Sequence, residues 1–164
     1  KIEIFCEEMF NRNLPGEVPP IPKYIQEWES PFGKESETYP LQVIGTHFMP
    51  RMHSTLGNVD WTKEAFPQRV FINPLDAAQR GLKNGKKVKI YNQRGTVILP
   101  CRITKRILPG VVNIPQGAWW KPDKHGNDIG GSVNTLTSER WTPFAFGNAQ
   151  HTIMAEVGSL VSRP

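Results

Sequence analysis

Hydrophobic and polar residues alternate along short segments of the chain, and this two-residue period is typical of half-buried β-strands. In Lys87–Tyr91, Val88 and Ile90 share one face and the lysines take the other. Asn92–Gly95 then predicts a hairpin connection to a longer strand at Thr96–Ile103. The inward face of that return strand would hold Val97, Leu99, Cys101 and Ile103. Cys101 is therefore expected in the core, as an inert buried thiol.

Four further segments predict short strands, at residues 41–45, 70–72, 111–115 and 151–157. A short helix follows the second of them. Asn73 is placed to cap it, Pro74 takes its first position and Gly81 closes it after about two turns. The glycine-rich polar stretch 121–131 has no period and predicts a loop. The chain is thus expected to be mainly β, with short helices and long loops.

The two ends of the chain lack this order. Prolines are scattered through residues 1–39 and argue against regular strand pairing there. We expect at most a strand at Lys1–Phe5 and a short helical turn up to residue 10. The start at Lys1 without methionine suggests a fragment or a processed product, and Ser159–Pro164 is expected to form a frayed, flexible tail.

Length and charge narrow the class of protein only slightly. The 164 residues suit one domain with a real core, and 20 Lys and Arg against 15 Asp and Glu give a net charge of +5. A basic surface suits anionic partners, so a nucleic-acid-binding β-barrel is an alternative, motivated also by Lys83–Lys89 and the aromatic residues. Those lysines alternate as an ordinary solvent face would, which favours the simpler interpretation that the charge aids solubility.

Several kinds of site find no support in the sequence. The four histidines, His47, His53, His125 and His151, lack the spacing of a helix-borne metal site. Cys6 and Cys101 belong to no CxxC pair, although a single disulfide between them remains open. No Gly-x-Ser-x-Gly nucleophile turn occurs, and no apolar run is long enough to span a membrane. We predict neither a catalytic residue nor a metal ligand, and we expect the chain itself to be soluble.

The segment 46–54 carries the densest group of polar side chains directly after a predicted buried strand. Arginine and hydroxyl groups there suit phosphate or the edges of a heterocycle, although composition alone favours an ordinary solvated loop. Asn134 could instead cap a turn, residues 147–150 could be a plain connector, and Trp119 with Trp120 could be core aromatics. The residues of this segment that could bind a ligand are Thr46, His47, Arg51, His53 and Ser54.

Taken together, five motifs in order resemble a known family. They are Leu41–Ser54, Val70–Ala78 with Gly81, Asn84–Gly85 through Arg94–Gly95, Pro109–Val112 and Gln116–Trp120. Their order and spacing across about residues 40–157 are similar to the molybdopterin dinucleotide-binding C-terminal domain of the dimethyl sulfoxide reductase family. Within it, the subgroup of anaerobic dimethyl sulfoxide reductase large subunits is the most similar.

The resemblance implies a fold and a binding site. The fold would be a six-stranded double-psi β-barrel at residues 40–158, preceded by a proline-rich linking arm at 1–39 and followed by the tail at 159–164. Loops on one side of the barrel would bind the cofactor. The residues carried over as cofactor-binding are Thr46, Arg51, His53, Ser54, Asn134, Asn148 and Gln150, with Trp119 and His47 as weaker candidates.

The resemblance also implies a parent enzyme. Its cofactor would be bis(molybdopterin guanine dinucleotide) with molybdenum, while the protein ligand to molybdenum and a 4Fe-4S cluster would lie outside this chain. Its partners would be upstream domains of the same polypeptide, an iron–sulfur electron-transfer subunit and a membrane anchor subunit, without nucleic acid. The parent would be exported to the periplasmic side of the cytoplasmic membrane. Because the metal would carry the redox chemistry, we expect the isolated chain to be inactive.

Overall fold

A closed barrel of six strands forms the centre of the computed structural model, which describes residues 2–14 and 16–160. The strands are β1 (Leu41–Ile44), β2 (Val70–Ile72), β3 (Lys87–Tyr91), β4 (Thr96–Ile103), β5 (Val111–Asn113) and β6 (Ile153–Ser159). Around the barrel they follow the order β1-β5-β2-β4-β3-β6, and β6 pairs with β1. The predicted mainly β, six-stranded double-psi architecture is confirmed.

The direction of the strands decides which loops meet. β1 runs parallel to β5 and β2 runs parallel to β4, whereas the other four pairs are antiparallel. The carboxyl ends of β1 and β5 therefore lie at the same end of the barrel. β6 is antiparallel to β1 and begins at that end, with Ile153 opposite Val43. Loops that are distant in sequence are brought together there.

Short helices fill the connections between strands. They are α1 (Glu7–Asn11), α2 (Asp60–Ala65) and α3 (Pro74–Gln79), with 3-10 helices at Lys34–Glu37 and Val133–Leu136. α3 begins as predicted, because the Asn73 side chain accepts a hydrogen bond from the Leu75 amide at 2.9 Å and Pro74 needs no donor partner at this position. α2 had no predicted counterpart.

The inward faces of the strands form one hydrophobic core. The return strand β4 contributes the predicted set of side chains, of which Val97, Leu99 and Cys101 are buried and Ile103 packs against the cluster. Burial raises the pKa of the Cys101 thiol to about 11, because a thiolate would lose its hydration there. Cys6 and Cys101 are both free, so the disulfide left open by the sequence is not formed.

The segment before β1 contacts the barrel through polar side chains. The Glu29 carboxylate accepts hydrogen bonds from Arg94 Nη2 at 2.8 Å and from the Met154 amide at 3.0 Å. The predicted strand at the amino end is wrong: residues 2–6 form no strand, and Lys1 lies outside the described residues. The helical turn predicted to follow is present as α1. At the other end, β6 extends to Ser159, and residues 161–164 of the predicted tail lie outside the described residues.

Candidate functional site

Four loop segments converge on Gly45, the residue that follows β1. A Cβ placed on Gly45 would lie 3.6 Å from Val133 Cγ1, 3.7 Å from Gln116 Cβ and 3.8 Å from the Gln150 carbonyl oxygen. We call residues 45–54, 113–119, 132–137 and 147–150 the polar rim. Its four segments carry all nine of the site residues expected from sequence.

Thr46 is held at the start of the polar rim by Asn113, the last residue of β5. Asn113 Oδ1 accepts hydrogen bonds from Thr46 Oγ1 at 3.0 Å and from the Thr46 amide at 3.3 Å. The Gln116 amide donates to the Thr46 carbonyl at 2.9 Å, which extends the parallel pairing of β1 and β5 beyond the strands. Asn113 is buried whereas Thr46 is exposed, so a buried amide positions an exposed hydroxyl.

Arg51 connects the loop after β1 to two other segments. Its Nη2 donates to Gln68 Oε1 and to the Gln116 carbonyl, both at 2.9 Å, and its guanidinium lies 4.6 Å from the centre of the Phe48 ring. Both acceptors are neutral, and the buried Arg51 Nε has no hydrogen-bond partner among the described residues. Burial lowers the pKa of Arg51 from its usual value. The charge is thus held in place without being neutralised.

His47 and His53 pair edge to face, with their ring centres 5.0 Å apart. His53 adopts a left-handed backbone conformation with φ of 51°. Its carbonyl oxygen lies where a Cβ on Gly117 would stand, only 1.7 Å away, and Gly117 itself has φ of 88°. Glycine is therefore required at 117, because a side chain would separate the two loops. Both imidazoles are exposed at the surface of the polar rim.

The Trp119 indole joins the same two loops from the other side. Its Nε1 donates to the Ser54 carbonyl at 2.8 Å, while the ring remains 53% exposed. The Ser54 side chain is exposed as well. The interpretation of Trp119 as a core aromatic is therefore wrong, since the ring has a polar anchor and an open face. Thr46, Arg51, His53, Ser54 and Trp119 thus belong to one connected group.

The remaining candidates lie on two other segments of the polar rim. Asn134 is exposed in the 3-10 helix Val133–Leu136, where its carbonyl accepts from Thr137 Oγ1 at 2.9 Å. Gln150 contacts Gly45 through its backbone. Asn148 is exposed in a loop closed by an isolated bridge to Trp141. The structure therefore brings Gln150 and Val133, the neighbour of Asn134, to Gly45, while Asn148 contacts Trp141.

Asp128 organises the glycine-rich loop that leads to Asn134. Its fully buried carboxylate accepts hydrogen bonds from four backbone amides and from Thr135 Oγ1 at 3.3 Å. The amides belong to Lys121, Gly130, Gly131 and Ser132, at 2.9, 2.8, 3.2 and 2.6 Å. A segment without any period is thereby given a fixed conformation.

Sequence reasoning missed the residues that hold the polar rim together. They are Gln68, Asn113 and Asp128, which act through their side chains, and Gln116, which acts through its backbone. Gln68 Nε2 donates to the Pro115 carbonyl at 2.7 Å and to the Gly131 carbonyl at 3.1 Å, while its Oε1 accepts from Arg51. The acidic residue directly before Gly130 and Gly131 was a signal for a loop-organising carboxylate. Nothing near Gln68 in sequence could have revealed its three partners.

The described residues contain neither a metal-ligating cluster nor a membrane-spanning helix. Within residues 2–14 and 16–160 there is no group of three or more His, Cys, Asp or Glu side chains that could hold a metal ion. No helix in the same ranges is long and apolar enough to cross a membrane. Lys87 and Lys89 are exposed on β3, with Lys89 Nζ 4.9 Å from the Tyr91 ring centre, as expected of an ordinary solvent face.

Comparison with known proteins gives consistent results. Residues 41–154 match a family model described as "Molydopterin dinucleotide binding domain". The chain is 43% identical over 163 residues to dimethyl sulfoxide reductase DmsA of Escherichia coli K12, covering 96% of this chain and 20% of that protein. It is 35% identical over 134 residues to trimethylamine-N-oxide reductase 1 of the same organism, covering 76% of this chain and 16% of that protein.

Among solved structures, acetylene hydratase from Pelobacter acetylenicus superposes with a TM-score of 0.77 at 18% identity, over 97% of this chain and 23% of that chain. This likeness shows the shared fold. The chain spans about a fifth of the length of the curated relatives it matches. None of these matches supports the nucleic-acid-binding alternative. The chain therefore belongs to the molybdopterin dinucleotide-binding domain family, and specifically to the domain found in enzymes of the dimethyl sulfoxide reductase family.

Proposed function

We propose that the polar rim binds the guanosine phosphate portion of a bis(molybdopterin guanine dinucleotide) cofactor in a larger molybdenum oxidoreductase. The observation that carries this proposal is the convergence of four loop segments on Gly45, which gathers exposed donors and acceptors from distant parts of the sequence at one end of the barrel. The side chains proposed to hold the cofactor are Thr46, His47, Arg51, His53, Ser54, Trp119, Asn134, Asn148 and Gln150.

The chemistry of these residues fits such a group. Arg51 has neutral hydrogen-bond partners, and its buried Nε has none in the described part of the chain, so its positive charge is available to a nearby phosphate. Thr46, Ser54 and Asn134 are exposed and offer hydroxyl and amide groups to the edges of a pterin or guanine ring. The buried supports Asn113 and Asp128 keep the backbone of these loops fixed before any ligand arrives, which lowers the entropic cost of binding.

The bound cofactor would supply molybdenum for a two-electron oxygen-atom transfer. The residues of this chain would bind and orient it, and we propose residues 40–158 as the binding domain and 1–39 as the linking arm. The names of the relatives support reduction of a sulfoxide or an amine oxide by the parent enzyme. A parent of this kind would work with an iron–sulfur subunit and a membrane anchor and would be exported to the periplasmic side.

Guanosine diphosphate is a direct probe of this proposal. Titrated into the 164-residue chain, it is expected to shift backbone amide resonances of residues 45–54, 132–137 and 147–150 and to spare the Asn92–Gly95 hairpin. With the opposing domains absent, the ligand stays partly hydrated. We therefore expect a dissociation constant near the millimolar range, which corresponds to a binding free energy of about 4 kcal/mol.

Asn134→Ala is the test variant, because Asn134 is exposed and its backbone carbonyl, rather than its side chain, accepts the hydrogen bonds from Thr137. It should weaken the response to guanosine diphosphate and leave the unfolding temperature unchanged, and Lys105→Gln serves as an exposed control. Shifts spread instead over residues 83–89 that vanish in moderate salt would mean simple charge attraction and would refute the assignment.

A further inference from the structure

A cavity of about 550 Å³ lies beside the barrel, next to the polar rim. We call it the lateral cavity. Its walls come from residues 56–68 around α2, residues 98–100 of β4, and the two segments 118–121 and 129–130. Of the proposed cofactor-binding residues, Arg51 and Trp119 line it, whereas Thr46, His53, Ser54 and Asn134 do not. It is therefore a separate compartment that shares one boundary with the polar rim.

The charged side chains that line the lateral cavity are all positive. Four cationic side chains line it, Arg51, Lys63, Lys87 and Lys121, and none of the lining residues within the described part of the chain is acidic. Lys63 is paired with Asp60 at 3.1 Å outside the cavity wall. Lys87 and Lys121 form no ion pair in the part of the chain that the structure describes. A cavity lined in this way concentrates anions.

Two buried polar atoms in the wall have no hydrogen-bond partner among the described residues. They are Thr62 Oγ1 and Arg51 Nε. Thr62 is 4% exposed, so its side chain is almost entirely removed from the surface, yet it lines the cavity. Buried polar groups in folded proteins are almost always hydrogen-bonded, and an exception calls for a partner from outside the chain. Two exceptions in one cavity, one able to donate or accept and one a donor, are consistent with a ligand bound there.

The rest of the wall is aromatic. Phe48, Phe66, Trp119 and Trp120 line the cavity, and Trp120 is 60% exposed although it is among the largest apolar side chains of the protein. A volume of about 550 Å³ is within the range of small-molecule sites. Aromatic walls with few polar groups suit a flat apolar body, and the cations suit a single negative group attached to it.

We propose that the lateral cavity binds a small organic anion with a flat apolar body, such as an aromatic carboxylate. The anionic group lies among Arg51 and Lys121, Thr62 Oγ1 contributes a hydrogen bond, and the apolar body packs on Trp119 and Trp120. Such a ligand supplies the partners that the two buried atoms lack. The site shares Arg51 and Trp119 with the polar rim, whereas Thr62, Trp120 and Lys121 belong to the lateral cavity alone.

The probe is 2-naphthoate, compared with the uncharged naphthalene-2-carboxamide of nearly the same shape. Added to the full chain, 2-naphthoate is expected to quench tryptophan fluorescence saturably and to shift amides of residues 56–68 and 118–121. The carboxamide should bind roughly tenfold more weakly, because it cannot form charge-assisted hydrogen bonds with Arg51 and Lys121. Equal binding of the two compounds would overturn the proposal, since the cavity would then select only apolar surface.

Thr62→Val tests the buried hydroxyl with little change of shape. It should weaken 2-naphthoate several-fold while leaving the unfolding temperature and the guanosine diphosphate shifts unchanged. Lys121→Gln should weaken it about threefold to fivefold, and Lys105→Gln, an exposed lysine outside the cavity, should not. Unchanged affinity in both Thr62→Val and Lys121→Gln would refute the site even if guanosine diphosphate still binds, so this proposal and the proposed function fail separately.

Discussion

Two charged side chains in neighbouring loops, Asp128 and Arg51, are treated in opposite ways by the fold. The buried carboxylate of Asp128 accepts from four backbone amides and a hydroxyl. Arg51 has two neutral acceptors, and its Nε has no hydrogen-bond partner among residues 2–14 and 16–160. Gln68 bonds to Arg51 and to the carbonyl of Gly131, so it physically connects the two loops. The chain supplies all the hydrogen bonds of the Asp128 carboxylate, whereas one hydrogen-bonding group of Arg51 lacks a partner among the described residues.

The difference separates a structural role from a binding role. A buried charged group whose hydrogen bonds are all made by the chain stabilises the native conformation and has no hydrogen-bonding group left for a ligand. A buried charged group with an unmade hydrogen bond lowers the stability of the free protein and gains a partner when a ligand binds. The two residues should therefore respond differently to substitution, with Asp128 affecting folding and Arg51 affecting binding.

The largest effect is expected for Asp128→Ala. Removing the carboxylate leaves four amides and the Thr135 hydroxyl without their acceptor in a buried environment, which should lower the free energy of unfolding by roughly 3 kcal/mol or more. Urea denaturation followed by circular dichroism measures it. Asp123→Ala, which removes another carboxylate from the same loop, is the matched control and should cost much less. If Asp128→Ala lowers the free energy of unfolding by less than about 1 kcal/mol, Asp128 does not have the structural role assigned to it.

A smaller effect on stability is expected for Arg51→Met. The methionine keeps much of the apolar contact with Phe48, and the lost hydrogen bonds to Gln68 and Gln116 should cost about 1 kcal/mol. Affinity for guanosine diphosphate and for 2-naphthoate should each fall about tenfold, as titration would measure. The exposed Arg106→Met provides a charge-matched control. If Arg51→Met destabilises the chain as much as Asp128→Ala, the guanidinium is structural.

The smallest effect concerns Asp123, a half-buried carboxylate in the same loop as Asp128. The hydrogen bond from the Asn127 side chain, helped by the amides of His125 and Asn127, holds the pKa of Asp123 below its usual value. Because the folded pKa is depressed, its contribution to stability is present above the unfolded value of about 3.9 and is lost as pH falls through the folded pKa.

Urea denaturation of the wild type and Asp123→Asn tests this. The wild type should be slightly more stable at about pH 6, and the gap should close as pH is lowered past about 4. A gap that persists unchanged at lower pH would assign the difference to shape rather than to charge.

The sequence was sufficient where structure is periodic or local. The alternation in Lys87–Tyr91 and Thr96–Ile103 predicted β3 and β4 residue for residue, and the Asn73–Pro74 pair predicted the start of α3. At the amino end, the apolar residues at 2–5 predicted a strand that is absent, because no neighbouring strand pairs with them.

For the site, the sequence named the exposed residues but not their supports. Thr46 and Arg51 were found from their residue types and from the family resemblance, and their roles as ligand contacts stay predictions. Asn113 and Gln68 act through hydrogen bonds to residues far away in sequence, and such contacts follow from barrel closure rather than from any local period. A helix as short as α2 is likewise fixed by its packing.

The pairing of β1 sets the order in which the barrel can be completed during synthesis. Gln42 pairs with Val111 on one side, and Leu41 pairs with Ala155 on the other. β1 is therefore made before both of its partners, so one of its edges stays unpaired until β5 has left the ribosome and the other until β6 has done so. Contacts of such long sequence separation form slowly, and unpaired edges invite aggregation in the interval. Nascent chains halted before β6 should consequently depend on chaperones more than released chains do.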